Sequence, residues 1–421
     1  MLCSEMIRSV QDGNYDKRLI QLYGGPALAT QKTRICGAAA EFIKLYGDCE
    51  TRLFSTTGRS EISGNHTDHN HGCVLAASVD LDVIAVVSKT DDNVIRVKSE
   101  GFDEDVCPLG SKDYKKYSSA AIIYGVCDGF EKAGRKTGGF RAYTTSSVLK
   151  GSGLSSSAAF EDIVGFILSQ LYNNGEVDNV TVAKISQYAE NRFFGKPCGL
   201  MDQVACAVGG FVFIDFENEE PKITPIKFDL AGAGYDLCIV NTGGNHADLN
   251  EDYASVPAEM KAVAAYFGKE VLRGITKEQL VANAKAIRAK LGDRPILRAM
   301  HFINENERVI KQRDALLSGD FKTFLSLVKE SGDSSYRFLQ NVYTVKNPSE
   351  QGLSLALCIS EQLLSGGKGV CRVHGGGFAG TVQAFVRREF TGEYKKEIEK
   401  VFGEGSCSVL SVRAEGTAVI V

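Results

Sequence analysis

"VLKGSGLSSSAAFEDIVGFILSQLY", Val148 to Tyr172, sets a glycine-rich turn directly ahead of a helix. Phe160, Ile163, Val164, Ile167, Leu168 and Leu171 recur at helical spacing and mark its apolar face. Gly151 and Gly153 permit a tight turn and a close approach of backbone to a ligand. The serines of Gly151, Ser152, Gly153, Leu154, Ser155, Ser156, Ser157 and Ala158 cluster at the helix start. Unsatisfied N–H groups and the helix dipole favour an anion there. The hydroxyls add donors for phosphate or oxygen ligands for Mg2+. The design cradles a phosphate, yet it is not a Walker A loop, because no Lys-Ser/Thr pair follows a glycine at the required spacing. An ordinary capped helix after a glycine turn would carry the same residues. Glu161 and Asp162, read as lying in the first turn, suit the dipole and are expected to be structural.

Upstream, the strand "TRLFSTTG" leads into "GRSEISGNHTDHNHG", Gly58 to Gly72, which reads as a polar loop. A zinc site would draw on His66, Asp68, His69 and His71. Those residues lie within six positions, where one helix or strand would splay them, and only His246, His301 and His374 remain as distant partners. Asparagine, histidine, threonine and aspartate together suit a polyhydroxylated ligand. Downstream, "GKPCGLMDQVACAVGG", Gly195 to Gly210, places Asp202 just ahead of an apolar run. An acid enclosed there needs a cation partner to stay ionised, and Arg59 is the candidate. In "RVHGGGFAGTVQAFV", Arg372 to Val386, Gly375, Gly376 and Gly377 interrupt a strand-like run, as close approach of a ligand or another backbone would require.

The rest of the chain is helical to about residue 50, strand-rich to "RAYTTS", helical from Pro257 to Val342, and strand-rich again at the end. Intermixed strands and helices without strict alternation imply α+β layers in two domains. The acidic "ENEEPK", Glu217 to Lys222, is the linker candidate, dividing residues 1–217 from 218–421, with the last strand free to return to the first domain. The 421 residues are 43% hydrophobic and 24% charged with net charge −4, ordinary for a globular protein and poorly suited to nucleic acid. The twelve cysteines lack CxxC pairs and sit in apolar runs, as in a reducing compartment. With no signal pattern and no long apolar run, a cytoplasmic protein without a membrane partner is expected.

Taken together and in order, these pieces resemble the galactokinase branch of the GHMP small-molecule kinases. The carriers are "GRSEISGNHTDHNHG", "GSGLSSSA", "PCGLMDQ" and "HGGGFAG", over roughly residues 50 to 390. The resemblance implies a ribosomal-S5-like N-terminal domain and a helix-rich, ferredoxin-like C-terminal domain. It implies transfer of the γ-phosphate of Mg-ATP to the anomeric hydroxyl of a sugar, galactose first, by a monomer or weak dimer. Asp202 would orient or deprotonate that hydroxyl, and Arg59 would hold Asp202 ionised. Gly151 to Ala158 would wrap the phosphates, and Ser157 and Glu190 would hold Mg2+. Asn65, His66, Asp68 and Tyr253 would contact the sugar, with Gly375 to Gly377 closing on the site. Three departures stand out. The family pattern carries Glu where Asn65 stands, to meet the hydroxyl on the sixth carbon, Tyr where His69 stands, and Asn where Glu61 stands. The same chemistry on galacturonate or N-acetylgalactosamine is therefore a rival, and a non-catalytic sugar sensor on the same fold is another.

Overall fold

The computed structural model describes residues 1–111, 113–148, 153–196, 198–244 and 249–421. Three helices open the chain: α1 (Cys3–Gln11), α2 (Asp16–Tyr23) and α3 (Leu28–Tyr46). Then come β1 (Arg52–Ser63), β2 (Cys73–Lys89), β3 (Val94–Ser99), β4 (Glu104–Pro108), α4 (Ser119–Lys132) and β5 (Phe140–Ser146). Helices α5 (Ser156–Tyr172), α6 (Asn179–Ala189) and α7 (Met201–Val208) precede the hairpin of β6 (Phe211–Asp215) and β7 (Lys222–Ile226). These strands, joined by the terminal Thr417–Val419, form an eight-stranded sheet among the described residues.

The long strands β1 and β2 make the sheet's spine. β2 pairs with β5 through its C-terminal half and with β6 through its N-terminal half. The apolar run of β2 is explained by burial on both faces. Val83, Ala85 and Val87 pack with α4 to α6, while Ile84 and Val86 pack with α1 to α3. Pinned there is a buried charge: Asp82 accepts from Tyr23 and Ser55 at 2.5 Å each, Arg34 at 2.5 Å and Arg413 at 3.1 Å.

After β7 the chain crosses to a second, antiparallel sheet. It begins with β8 (Tyr235–Asn241) and continues through α8 (Asn250–Tyr266), α9 (Lys277–Leu291), α10 (Arg294–Ser318), α11 (Phe321–Ser334) and α12 (Gly352–Leu363). β9 (Gly369–His374), β10 (Thr381–Arg387), α13 (Arg388–Phe402) and β11 (Cys407–Leu410) complete it, in the order β11-β8-β10-β9. β12 (Thr417–Val419) returns to pair with β1. Leu237 and Ile239 face the core shared with α10 and α11, and Cys238 and Val240 face α12 and α13.

Two local expectations change. "ENEEPK" is the turn of the β6–β7 hairpin, not a linker, and the crossing between sheets falls at residues 227–234. The first third of "GRSEISGNHTDHNHG" is strand, not loop: Arg59, Ser60 and Glu61 pair with Ser78, Ala77 and Ala76. Sheet pairing and burial override its polar composition, since Ser60 and Ser63 are fully buried.

Candidate active site

Motifs distant in sequence meet at the inner end of β1. Gly58 lacks a Cβ for a packing reason: one built there would stand 2.7 Å from the Leu154 carbonyl. The phosphate-loop backbone is thereby held against β1, with Arg59 N–H donating to Leu154 O at 3.0 Å. The Arg59 guanidinium also donates to Gly153 O.

Asp202 lies in the first turn of α7, where the helix dipole favours a carboxylate. Arg59 donates through Nε to Asp202 Oδ1 at 2.8 Å and approaches the same oxygen through Nη2 at 2.7 Å. Ser155 Oγ donates to Oδ2 at 2.6 Å. Burial by itself would raise the Asp202 pKa, but Arg59 and then Ser155 hold it below the usual carboxylate value. The side chain keeps 35% of its surface open, so it is ringed by protein yet reachable.

The Ser155 hydroxyl, expected at the phosphates, is here hydrogen-bonded to Asp202. Ser155 adopts φ +57°, and its hydroxyl makes no capping bond to α5. The first-turn N–H groups of α5 gain no side-chain cap and remain a place for an anion. Ser156 and Ser157 line a cavity of about 710 Å3, together with Glu161 and Glu190. Ala158 is buried in the core, so only its backbone could serve a ligand. Gly151 and Ser152 lie outside the described residues, as do Pro197 and His246.

Glu190 starts a π-helical turn after α6. It accepts from Lys196 Nζ at 3.1 Å and from Gln203 Nε2 at 2.9 Å. Gln203 also donates to Glu161 at 3.0 Å. Glu161 and Asp162 are not first-turn residues, because α5 begins at Ser156; both are buried. Burial first, and then the neighbouring Glu190, push Glu161 up to about 8. The hint available in sequence was spacing: Glu161 follows Ser157 by four residues and so shares its helix face. Phe102, Tyr117, Ile122 and Phe194, also unanticipated, give the cavity an aromatic and apolar wall.

A second pocket of about 120 Å3 is lined by Glu61, Gly64, Asn65, His66, Asp68, His69, Val74, Met201 and Gly376. His66 Nε2 donates to the Gly376 carbonyl at 2.9 Å. Burial is the main reason its pKa falls to about 4, leaving a neutral ring with Nδ1 as acceptor. The glycine run approaches closely because Gly377, at φ +81°, would place a Cβ 2.0 Å from Asn341 O. Tyr253 does not line this pocket: its hydroxyl donates to Gly377 O at 2.8 Å, and its ring backs the glycine run. His66, Asp68 and His69 share this pocket without His71, and among the described residues no group of three or more His, Cys, Asp or Glu could hold a metal ion.

Asp202 lines neither pocket but is linked to each through a neighbour. Its neighbour Met201 lines the small one, and its partner Ser155 precedes the two serines lining the large one. The GHMP kinase N-terminal domain model matches residues 121–210, and the galactokinase galactose-binding signature matches residues 40–89. The crystal structure of Lactococcus lactis galactokinase complexed with galactose superposes with TM-score 0.75 at 24% identity, covering 90% of this chain and 98% of that one. A mevalonate kinase crystal structure gives TM-score 0.58 at 16% identity, covering 86% and 99%. The fold is thus that of the GHMP small-molecule kinases.

Galactokinase of Streptomyces coelicolor is 30% identical over 377 residues, spanning 87% of this chain and 93% of its own. Galactokinase of Clostridium tetani is 30% identical over 388 residues, spanning 90% and 95%. The chain belongs to the galactokinase family.

Proposed function

We infer that this protein transfers the γ-phosphoryl group of ATP to the anomeric hydroxyl of galactose, giving galactose 1-phosphate and ADP. The observation that supports this reading is the Asp202 carboxylate, held ionised by Arg59 and Ser155, with its neighbour Met201 lining a small polar pocket and the serines that follow Ser155 lining a large cavity. Phosphoryl transfer needs in-line positioning and charge neutralisation more than covalent help.

In this reading the sugar occupies the small pocket, contacted by His66, Asp68 and the Gly375–Gly377 run. Asp202 accepts the hydrogen bond of the attacking hydroxyl and takes its proton as the O–P bond forms. Arg59 keeps Asp202 anionic and faces the charge that develops on the transferring group. The first-turn amides of α5 with Ser156 and Ser157 receive the phosphates, and the aromatic wall receives the base. Hard oxygen donors fit Mg2+, and Ser157 Oγ with the Glu190 carboxylate is such a set on one cavity. Bound there with ATP, Mg2+ would neutralise phosphate charge. We divide the chain at residues 227–234 into two domains, with β12 belonging to the first, and place the work in the cytoplasm, by a monomer or weak dimer. No helix among the described residues is long and apolar enough to cross a membrane.

The test is direct. The protein is incubated with ATP, Mg2+ and galactose, and products are followed by phosphorus NMR. Galactose 1-phosphate and ADP should appear in equal amounts. Binding of both ligands without product would instead identify a sensor and overturn the reading.

A further inference from the structure

His374 closes β9 just ahead of the glycine run, and the phosphoryl-transfer chemistry above makes no use of it. The ring is buried among polar partners. Its Nδ1 lies 2.8 Å from Oγ1 of Thr381, its register partner on β10. Its Nε2 lies 3.1 Å from Ser60 Oγ on β1. Gln383 of β10 reinforces the link, donating through Nε2 to the same Ser60 oxygen at 2.7 Å and to the Glu61 carbonyl at 3.0 Å. A Cβ built at Gly153 would stand 3.4 Å from His374 Cε1, ordinary contact distance, so the ring walls one side of the phosphate loop.

Both contacts bear on Arg59. Ser60 is the next residue in β1, and the Gly153 carbonyl accepts from the Arg59 guanidinium. Arg59 in turn keeps Asp202 ionised in a place where burial works the other way. The second sheet therefore reaches the base through one side chain: β10 holds His374, and His374 meets the residues that frame the guanidinium. The charged groups acting on the ring are Arg59, Arg372 and Asp202; burial and the two cations keep it neutral. A neutral, hydrogen-bonded bridge fixes geometry rather than supplying charge, and a misplacement of about 1 Å can cost about 10²-fold in rate.

We propose that His374 is a positioning residue for phosphoryl transfer, holding Arg59 in register with Asp202 across the contact between the two sheets. It touches neither substrate and acts through Ser60 and Gly153. The proposal rests on the galactose-kinase reading above for the reaction it serves. Its consequence is specific. With the bridge removed, Arg59 leaves its place, and Asp202 keeps its burial but loses its counter-charge, so the carboxyl titrates at higher pH. Of the other groups facing Asp202, Lys196 opposes that rise, while Glu161, Asp162 and Cys206 are held toward their neutral forms by burial.

The experiment measures kcat and both KM values from pH 5 to 8 for the native protein, His374→Ala, His374→Gln and Ser60→Ala, with urea unfolding giving the folded fraction at each pH. Per folded molecule, His374→Ala should lose about 10²-fold in kcat at pH 8, with the KM values for galactose and ATP within about threefold of native. Its kcat relative to native should fall at least about fivefold further toward pH 5, as Asp202 takes up a proton. His374→Gln keeps one donor and one acceptor and should recover at least about tenfold of the loss. Ser60→Ala removes the contact beside Arg59 and leaves the ring between its own strands; it should show the same acid limb, and it carries the test if His374→Ala does not fold. An acid limb in either variant supports the proposal. If kcat stays within threefold of native in both, or falls by one factor at every pH, the proposal is overturned, while galactose kinase activity stands. If the native protein makes no sugar phosphate, the underlying reading fails, and this proposal with it.

Discussion

Replacing Asp202 by Asn isolates the charge at the centre of the site while keeping the side chain's shape. Asn retains an acceptor for Arg59 Nε, which lies 2.8 Å from Asp202 Oδ1, and can still meet Ser155. It cannot accept a proton. Removing a general base or orienting acid costs about 10²- to 10⁴-fold, so kcat should fall about 10³-fold, equivalent to about 4 kcal/mol of barrier. Folding should suffer far less. The Arg59 guanidinium loses its counter-ion, but the Asp202 side chain is 35% exposed and solvent screens the pair, so about 1 kcal/mol is expected. ADP release measured with a coupled assay gives kcat, calorimetry gives the ATP and galactose affinities, and urea unfolding gives stability. ATP affinity should stay within about threefold of native, because Asn is neutral and the α5 amides are untouched. The native pH profile is a second arm. Because Arg59 and Ser155 hold Asp202 below its ordinary value of 3.8, the group is ionised throughout pH 5 to 8 and adds no acid limb there. Retention of kcat within tenfold of native in Asp202→Asn would refute the assignment.

Three further outcomes follow from the structure. His374 lies between Ser60 Oγ at 3.1 Å and Thr381 Oγ1 at 2.8 Å, and burial, reinforced by Arg59, pushes its pKa from 6.5 down to about 3. Between those values the unfolded chain binds a proton that the folded one refuses, so stability is lost as pH falls below 6.5, by about 2 kcal/mol at pH 5. His374→Gln should flatten the urea-midpoint curve over pH 5 to 7, and an unchanged slope would remove His374 as its source. Asp82→Ala leaves the buried Arg413 guanidinium without its carboxylate, and chemical denaturation should show a loss of about 3–5 kcal/mol; a loss under 1 kcal/mol would contradict that network's role. Gly377→Ala meets both positive φ and the Asn341 carbonyl, whereas Gly366→Ala meets only φ +70° with open space around it. Calorimetric melting should show about 1–2 kcal/mol for Gly366→Ala and clearly more for Gly377→Ala, with a raised galactose KM only in the latter; equal effects would argue against a tight glycine run.

Much of the site was legible because its chemistry is written in short runs. "GSGLSSSA" named an anion site through glycine freedom and helix-start amides, and its helix begins at Ser156. Asp202 and Arg59, 143 residues apart, were paired on the argument that an enclosed acid needs a cation, and they bond at 2.8 Å. Orientation was not legible. Ser155, expected at the phosphates, donates to Asp202 from a left-handed backbone position at the helix entrance. Tyr253 was expected at the sugar and supports the glycine run, because packing against Phe378 sets its direction. Glu161, expected as a structural first-turn acid, lies in the cavity wall, bridged to Glu190 through the buried Gln203.

In the sequence, the order of four motifs pointed to the reaction class through their resemblance to the galactokinase branch. Residue types and their local spacing dictate which donors, acceptors and backbone freedoms exist, and only the motifs together single out phosphate, acid and cation. Tertiary structure decided which of these groups line a common pocket. It drew Glu61 into the pocket while engaging Asn65 inside the protein, and it placed the crossing between sheets after β7 rather than at the acidic turn. The physical reason is that a hydrogen bond between positions 61 and 65, or a strand pairing across a sheet, depends on distances that covalent order leaves open and close packing fixes.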